Sequence, residues 1–447
     1  MATVQPRLGA FDAAMVVVSL VIGIGIFRTP AIVASASATP TLFFTAWLLG
    51  GVVSLAGALT FAEIGSRFPH AGAYYKVVAD GYHPALGFML NWSYVLMQGA
   101  GAAGVAFVGA EYLGRLVLPE ALRTQRSVLG LALALLVALL LANALGVRSG
   151  SRTQNVLSML KLAMIAALVG IAFVLGRPQP VELGVRTTPS AGLLAACVAV
   201  FYCYGGYQNT LNLAADVRGA RRSLPVGIVA GMLAVTAAYL TLNLAYHHVL
   251  GLEGVGQGTL VAADLARACL GTAGEAVISI AIFLSAAGFV NATILQLPRS
   301  YLAMAEDGLV PPAFGRVNPR TQVQGFGLAF VAATMLIPAF FLGSFETLLN
   351  YVMFTDSVGL VLVASTLFVL RRRGTMGEGG VPFRVPLYPV LPSLYVACLL
   401  AICIYVAVTR PRLALAGTGV LLAGWPLYLL LRRRPLHPGI PDAPSAE

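Results

Sequence analysis

Three ionisable residues lie within long apolar stretches: Arg28 in "VIGIGIFRTP" (21–30), Lys161 in "NVLSMLKLAMI" and Asp356 in "YVMFTDSVGL". At bilayer depth such groups are costly and mark substrate or ion pathways. An ammonium such as Lys161 can hold backbone carbonyls. A carboxylate such as Asp356 needs a substrate cation, an arginine such as Arg28, or a proton. The bland alternatives are a lysine that snorkels to the nearest interface and an aspartate beside a water-filled mouth. The same stretches carry glycines. Gly23 and Gly25 precede Arg28, and "FYCYGGYQNT" (201–210) sets Gly205 and Gly206 between tyrosines, ahead of Gln208 and Asn209. An unpaired backbone group inside a bilayer costs several kcal/mol, so irregular backbone survives there only where it lines a cavity or ligand. Close helix packing is the other use of such glycines.

The elements that position these residues follow from composition. Hydrophobic residues make up 58% of the 447-residue chain and charged residues 10%. Spanning a bilayer takes about 20 apolar residues per helix. Twelve candidate runs lie near 10–34, 40–64, 84–114, 127–146, 153–176, 190–214, 224–249, 272–303, 323–343, 346–370, 385–409 and 412–431. They lack the alternation of barrel strands, so the sequence predicts an all-α integral membrane protein with about 12 spans. The two glycine breaks fall in the first and sixth runs. That is the placement expected of inverted repeats, about 10–176 and 190–370, with a site at their interface. Residues 1–370 then form a transporter core, and 371–447 supply two more spans and a C-terminal tail.

Charge sets the orientation. With both termini inside, the inner loops and tails carry 18 of the 28 basic residues and the outer loops 8. This is the positive-inside pattern; it explains the net charge of +11 without nucleic acid. Arg7, an apolar stretch and "ASASA" (34–38) imitate a signal peptide, but the run is long and Arg28 interrupts it. Cys197, Cys203, Cys269, Cys398 and Cys403 show no disulfide or metal spacing. His247 and His248 sit at a helix end and His70 and His83 in a loop, which suggests neither a metal site nor a catalytic triad. No metal, cofactor or enzymatic role is expected.

The motifs resemble a known family, the amino acid–polyamine–organocation (APC) superfamily of transporters. "GIGIF" is similar to its GSGIF signature in span one. "FAEIGSRFPHAGAYY" (61–75) resembles its segment after span two, "YGGYQNTLNLAADVRGARRSLP" (204–225) its span six, and "RSYLAMAEDGLVPPAFGRVNPR" (299–320) its span-eight exit. The match runs from about 10 to 370 and is nearest to the L-amino-acid transporter branch, which has YGGW where this chain has Tyr204-Gly205-Gly206-Tyr207. The resemblance implies a LeuT-like five-plus-five inverted repeat with broken helices 1 and 6.

It also implies roles. An amino-acid carboxylate would meet the N–H groups of Gly25, Ile26 and Phe27 where a half-helix begins. The ammonium would meet unwound carbonyls at Val21 and Ile22, and at Tyr202 and Gly205 around the second break. Gly23 belongs to the same segment, and Ile24 stands where the family usually has serine, which removes one hydroxyl. Lys161, with Ser285 as neighbour, would replace the sodium ion of sodium-driven relatives, so transport is expected to be sodium-independent. Asp356 would border the substrate side chain at a position usually uncharged in that branch, or pair with Arg28. Arg28 and Phe27 would form an outer gate. Glu63, Arg67, Asp216, Arg218, Arg221 and Arg222 read either as inner-gate ion pairs or as solvated ends. The function implied is transport of amino acids by alternating access, with a broad neutral range first and cationic amino acids or polyamines as the alternative. A sensor that binds without transport is the reading from a different class. The loop 115–126 lacks the cysteine through which eukaryotic members join a partner chain, so no disulfide-linked heavy chain is expected. A cell inner membrane is the expected location.

Overall fold

The computed structural model describes residues 5–178, 190–258, 261–341, 345–374 and 383–431. Arg186, Arg432, Arg433 and Arg434, which contribute to the charge pattern, and the tail after 431 lie outside the described residues. Among the described residues there are fifteen α-helices and no strand; only an isolated bridge joins Leu8 and Val217. In chain order they are α1 (Ala10–Val21), α2 (Gly25–Ala36), α3 (Pro40–Arg67), α4 (Ala73–Gly81), α5 (Pro84–Val117), α6 (Gln125–Ala144), α7 (Val147–Leu175), α8 (Ser190–Cys203), α9 (Ala220–Gln257), α10 (Val261–Leu270), α11 (Thr272–Glu306), α12 (Gly325–Phe341), α13 (Phe345–Arg372), α14 (Val390–Thr409) and α15 (Pro411–Leu431). Eight of the described helices are long and apolar enough to cross a membrane, and the bent pair α1 and α2 makes a ninth if counted as one span. The chain is a multi-pass membrane protein.

Local sequence explains where the helices start. Thr39 caps α3 by accepting from the Leu42 N–H, with Pro40 at the first helical position, where its missing N–H costs nothing. His83 and Pro84 do the same for α5, and Thr124 caps α6. Large apolar side chains such as Leu141, Val174, Phe340 and Leu430 point outward, as they would toward lipid. Inside, small residues let helices meet closely. A Cβ on Gly231 of α9 would fall 2.7 Å from Cβ of Val17 on α1. This contact seats α1 firmly, so the break at its end is held in a fixed place.

Candidate functional site

Two helix breaks lie side by side. Helix α1 ends at Val21 and α2 resumes at Gly25, with the two axes bent by 50°. Helix α8 ends at Cys203, and a 3-10 segment, Tyr207–Asp216, continues the chain. Gly206 between them has φ +125°, and a Cβ there would lie 2.5 Å from the Leu20 carbonyl oxygen. Only glycine adopts that backbone conformation without strain and lets the two chains approach so closely. Gln208 accepts the freed Gly206 N–H at 2.9 Å. The Tyr239 hydroxyl of α9 lies 2.9 Å from the Val21 carbonyl and 3.1 Å from that of Cys203, tying the two broken ends together.

Lys161 of α7 is 1% exposed. Its Nζ donates to the Ile22 carbonyl at 2.5 Å and to that of Ser19 at 3.4 Å. Ser285 of α11 donates to the Ile22 carbonyl at 3.0 Å and lies 3.3 Å from that of Gly23. One ammonium and one hydroxyl from two other helices therefore converge on the carbonyls of the first break. Behind them a buried polar chain continues. Ser19 meets Ser158 at 2.8 Å, Gln154 donates to Ser158 at 3.0 Å, and Asn291 donates to Gln154 at 2.9 Å. Each of these side chains is buried, so α1, the first half of the broken helix, is pinned to α7 and α11.

A cavity of about 130 Å³ opens at the second break. Tyr202, Gly205 and Asp356, all expected from sequence, line it, together with Gly206, Tyr207, Gln208 and Asn209 from the same segment. The other walls are Leu20, Ser54, Gln98, Phe201, Phe289, Leu360 and Tyr395. Val21, Ile22, Gly23, Ile24, Gly25 and Ile26 are not in that lining; α1 reaches it through Leu20. The carbonyls of Val21 and Ile22 each face two donors already, Gly23 N–H and Tyr239 for the first, Lys161 and Ser285 for the second. A carbonyl oxygen has two lone pairs, so neither has capacity left for a substrate ammonium in this conformation. The first turn of α2 does present the N–H groups of Gly25 and Ile26, which have no intrahelical acceptor.

Asp356 of α13 is half-buried, and no hydrogen bond or ion pair reaches its carboxylate among the described residues. Its neighbour Ser357 bonds to the Tyr202 hydroxyl at 2.7 Å. Arg28 is exposed and forms no ion pair with Asp356, while Phe27 is buried. The structure therefore does not bring Arg28 and Asp356 together.

The opposite end, rich in arginine, is closed by buried ion pairs. Asp216 is fully buried and accepts from Arg299 of α11 at 2.8 and 2.7 Å. Its backbone carbonyl takes the N–H groups of Arg7 and Leu8, which sews the N-terminal segment over this end. Glu63 of α3 is also fully buried. It accepts from Arg67, from Arg371 of α13 and from the Val385 N–H. These two acids are thus paired, not solvated, and their distant partners are Arg299 and Arg371. Sequence reasoning missed Gln98, Tyr239 and Tyr395, which lie outside every motif that marks the breaks.

A helical membrane protein whose two broken helices flank an internal cavity, closed at one end by buried ion pairs, has the architecture of a solute transporter. The chain belongs to the amino acid permease family, within the APC superfamily; that family's pattern matches residues 8–430. It is 28% identical to a serine/threonine exchanger of Bacillus subtilis (strain 168), over 96% of this chain and 98% of that protein. It is 26% identical to the Asc-type amino acid transporter 1 of Homo sapiens, over 95% of this chain and 82% of that protein. Against the human b(0,+)-type amino acid transporter 1 the identity is 25%, over 88% and 81% of the two chains. The family and these relatives are transporters, not enzymes.

Proposed function

We propose that this chain is a secondary transporter that moves amino acids across a cell inner membrane by alternating access, without sodium. The core is a five-plus-five inverted repeat of LeuT type with two further helices, about 12 spans in all, and both termini are cytoplasmic. One observation carries the reading: Lys161 and Ser285 converge on the carbonyls of the first helix break, beside a cavity that the second break lines. A protein ammonium fixed on these carbonyls does the work of a bound cation, and transport then needs no sodium. The substrate carboxylate meets the first turn of α2, where the helix dipole is positive. The closed, arginine-rich end is the cytoplasmic gate, and Arg28 and Phe27 belong to the outer one. The apolar walls Leu20, Phe201, Phe289 and Leu360 suit neutral side chains over a broad range. A second substrate reading, cationic amino acids or polyamines, is favoured by the unpaired carboxylate of Asp356 on the cavity wall. The names of the relatives, exchangers and transporters of amino acids, support the substrate class. No disulfide-linked partner is required. Purified protein in liposomes, given labelled amino acids, tests the proposal: uptake into the lumen supports a transporter, and binding without uptake would mean a sensor.

A further inference from the structure

The cavity at the second break has a small neighbour that shares two of its wall residues, Gln98 of α5 and Asp356 of α13. The remaining wall is Tyr74, Tyr94 and Thr355 with Leu90, Ser93, Met97 and Gly359, and Tyr74 and Tyr94 stack with ring centroids 4.9 Å apart. Thr355 is 4% exposed, and its hydroxyl has no hydrogen-bond partner among the described residues. The carboxylate of Asp356 has none either. Two polar groups that need a partner therefore border one hollow, at a depth where leaving them unpaired is costly.

Size and chemistry narrow what fits. The hollow measures about 10 Å³, near the lower limit for holding one water molecule. A primary ammonium has about that size and brings three donors, enough for Asp356, Thr355 and the Gln98 amide. A guanidinium is a wider planar fork, and an apolar side-chain end would leave every donor-seeking oxygen unanswered. We infer that this hollow is the side-chain subsite of the transported molecule and that it selects a terminal primary ammonium, which favours the second substrate reading over the first and places lysine-type substrates ahead of neutral amino acids and of arginine. The inference rests on the transport reading for its name, but ligand binding tests it independently of uptake.

The test is thermal stabilisation of the purified full chain by L-lysine, L-arginine, L-leucine and putrescine, run alongside liposome uptake of the same compounds. L-lysine should half-saturate at a lower concentration than L-leucine or L-arginine. Asp356→Asn should raise the lysine-to-leucine ratio of half-saturating concentrations by about tenfold or more, the scale of one lost charge-assisted hydrogen bond. Thr355→Val should shift the ratio in the same direction by less, and it keeps the test alive if the first variant is lost to misfolding. Putrescine as potent as L-lysine supports the subsite with a polyamine as the source of the ammonium; weaker putrescine supports it with a basic amino acid. Tighter binding of L-leucine or L-arginine than L-lysine overturns the inference. So does an equal loss of lysine and leucine binding in Asp356→Asn. If L-lysine binds as described but nothing is taken up, the subsite stands and the transport reading falls.

Discussion

Gly57 of α3 offers a way to close the cavity from behind. A Cβ at that position would press on the Tyr207 hydroxyl and lie 2.5 Å from Cε2 and 2.8 Å from Cζ of Tyr395. Both tyrosines line the cavity, and both are at least 98% buried. Phe61 packs edge-on against each, with centroids 6.0 and 6.1 Å away, so neither ring can retreat on that side. Open space beside them lies in the cavity itself. Gly57→Ala should therefore drive one or both rings into it. Overpacking by one methyl group typically costs about 1–3 kcal/mol. If that cost fell wholly on the bound state, affinity would drop by about fivefold to about 150-fold. The measurements are the unfolding midpoint without ligand and the half-saturating substrate concentration. Tyr207→Phe, which removes the nearest atom, should restore part of the loss in the double variant. Wild-type stability and affinity in Gly57→Ala would refute the reasoning, because the packing leaves no silent way to accept the methyl group.

Three further outcomes follow from the same geometry. Asp216→Ala leaves Arg299 buried without its carboxylate and should cost about 3–5 kcal/mol, read as a lowered unfolding midpoint; an unchanged midpoint would mean the pair is not buried in the membrane protein. Gly206→Ala should destabilise strongly through its positive φ and the nearby Leu20 carbonyl, whereas Gly23→Ala, with open space around its Cβ position, should leave the unfolding midpoint close to wild type; the reverse order would contradict the described breaks. Lys161→Ala should abolish uptake even though the protein still inserts and folds, and uptake at the wild-type rate would remove Lys161 from the mechanism.

Both breaks were legible in the sequence because backbone-loosening residues inside apolar runs have few uses in a bilayer. Lys161 was legible for the same reason, since a buried ammonium stands out against "NVLSML" and "LAMI". Its partners were less so: the carbonyls of Ser19 and Ile22 belong to residues whose side chains say nothing about them. Gly205 and Gly206 are indistinguishable in the sequence, yet it is Gly206 that takes the positive φ and meets the Leu20 carbonyl of another helix. Val21 offered an apparent open carbonyl, but Tyr239, 218 residues away in the chain, had already claimed it. Tyr395 lies beyond the inverted repeats expected from sequence, in a helix assigned outside the core, and Gly57 is what lets its ring reach the cavity. Arg28 and Asp356 were plausible partners by charge alone. Which face of a helix each occupies depends on packing, and it keeps Arg28 exposed while Asp356 turns to the cavity.

In the proposed mechanism the Lys161 ammonium stands where a transporter would otherwise hold a cation, fixing a broken helix beside the cavity. Liposomes containing only the purified chain, loaded with unlabelled amino acid and offered labelled amino acid outside, test this most directly when sodium is replaced by choline. Saturable uptake at the same rate in both media, lost in Lys161→Ala, is the expected result. Uptake that collapses in choline and returns with sodium would contradict it.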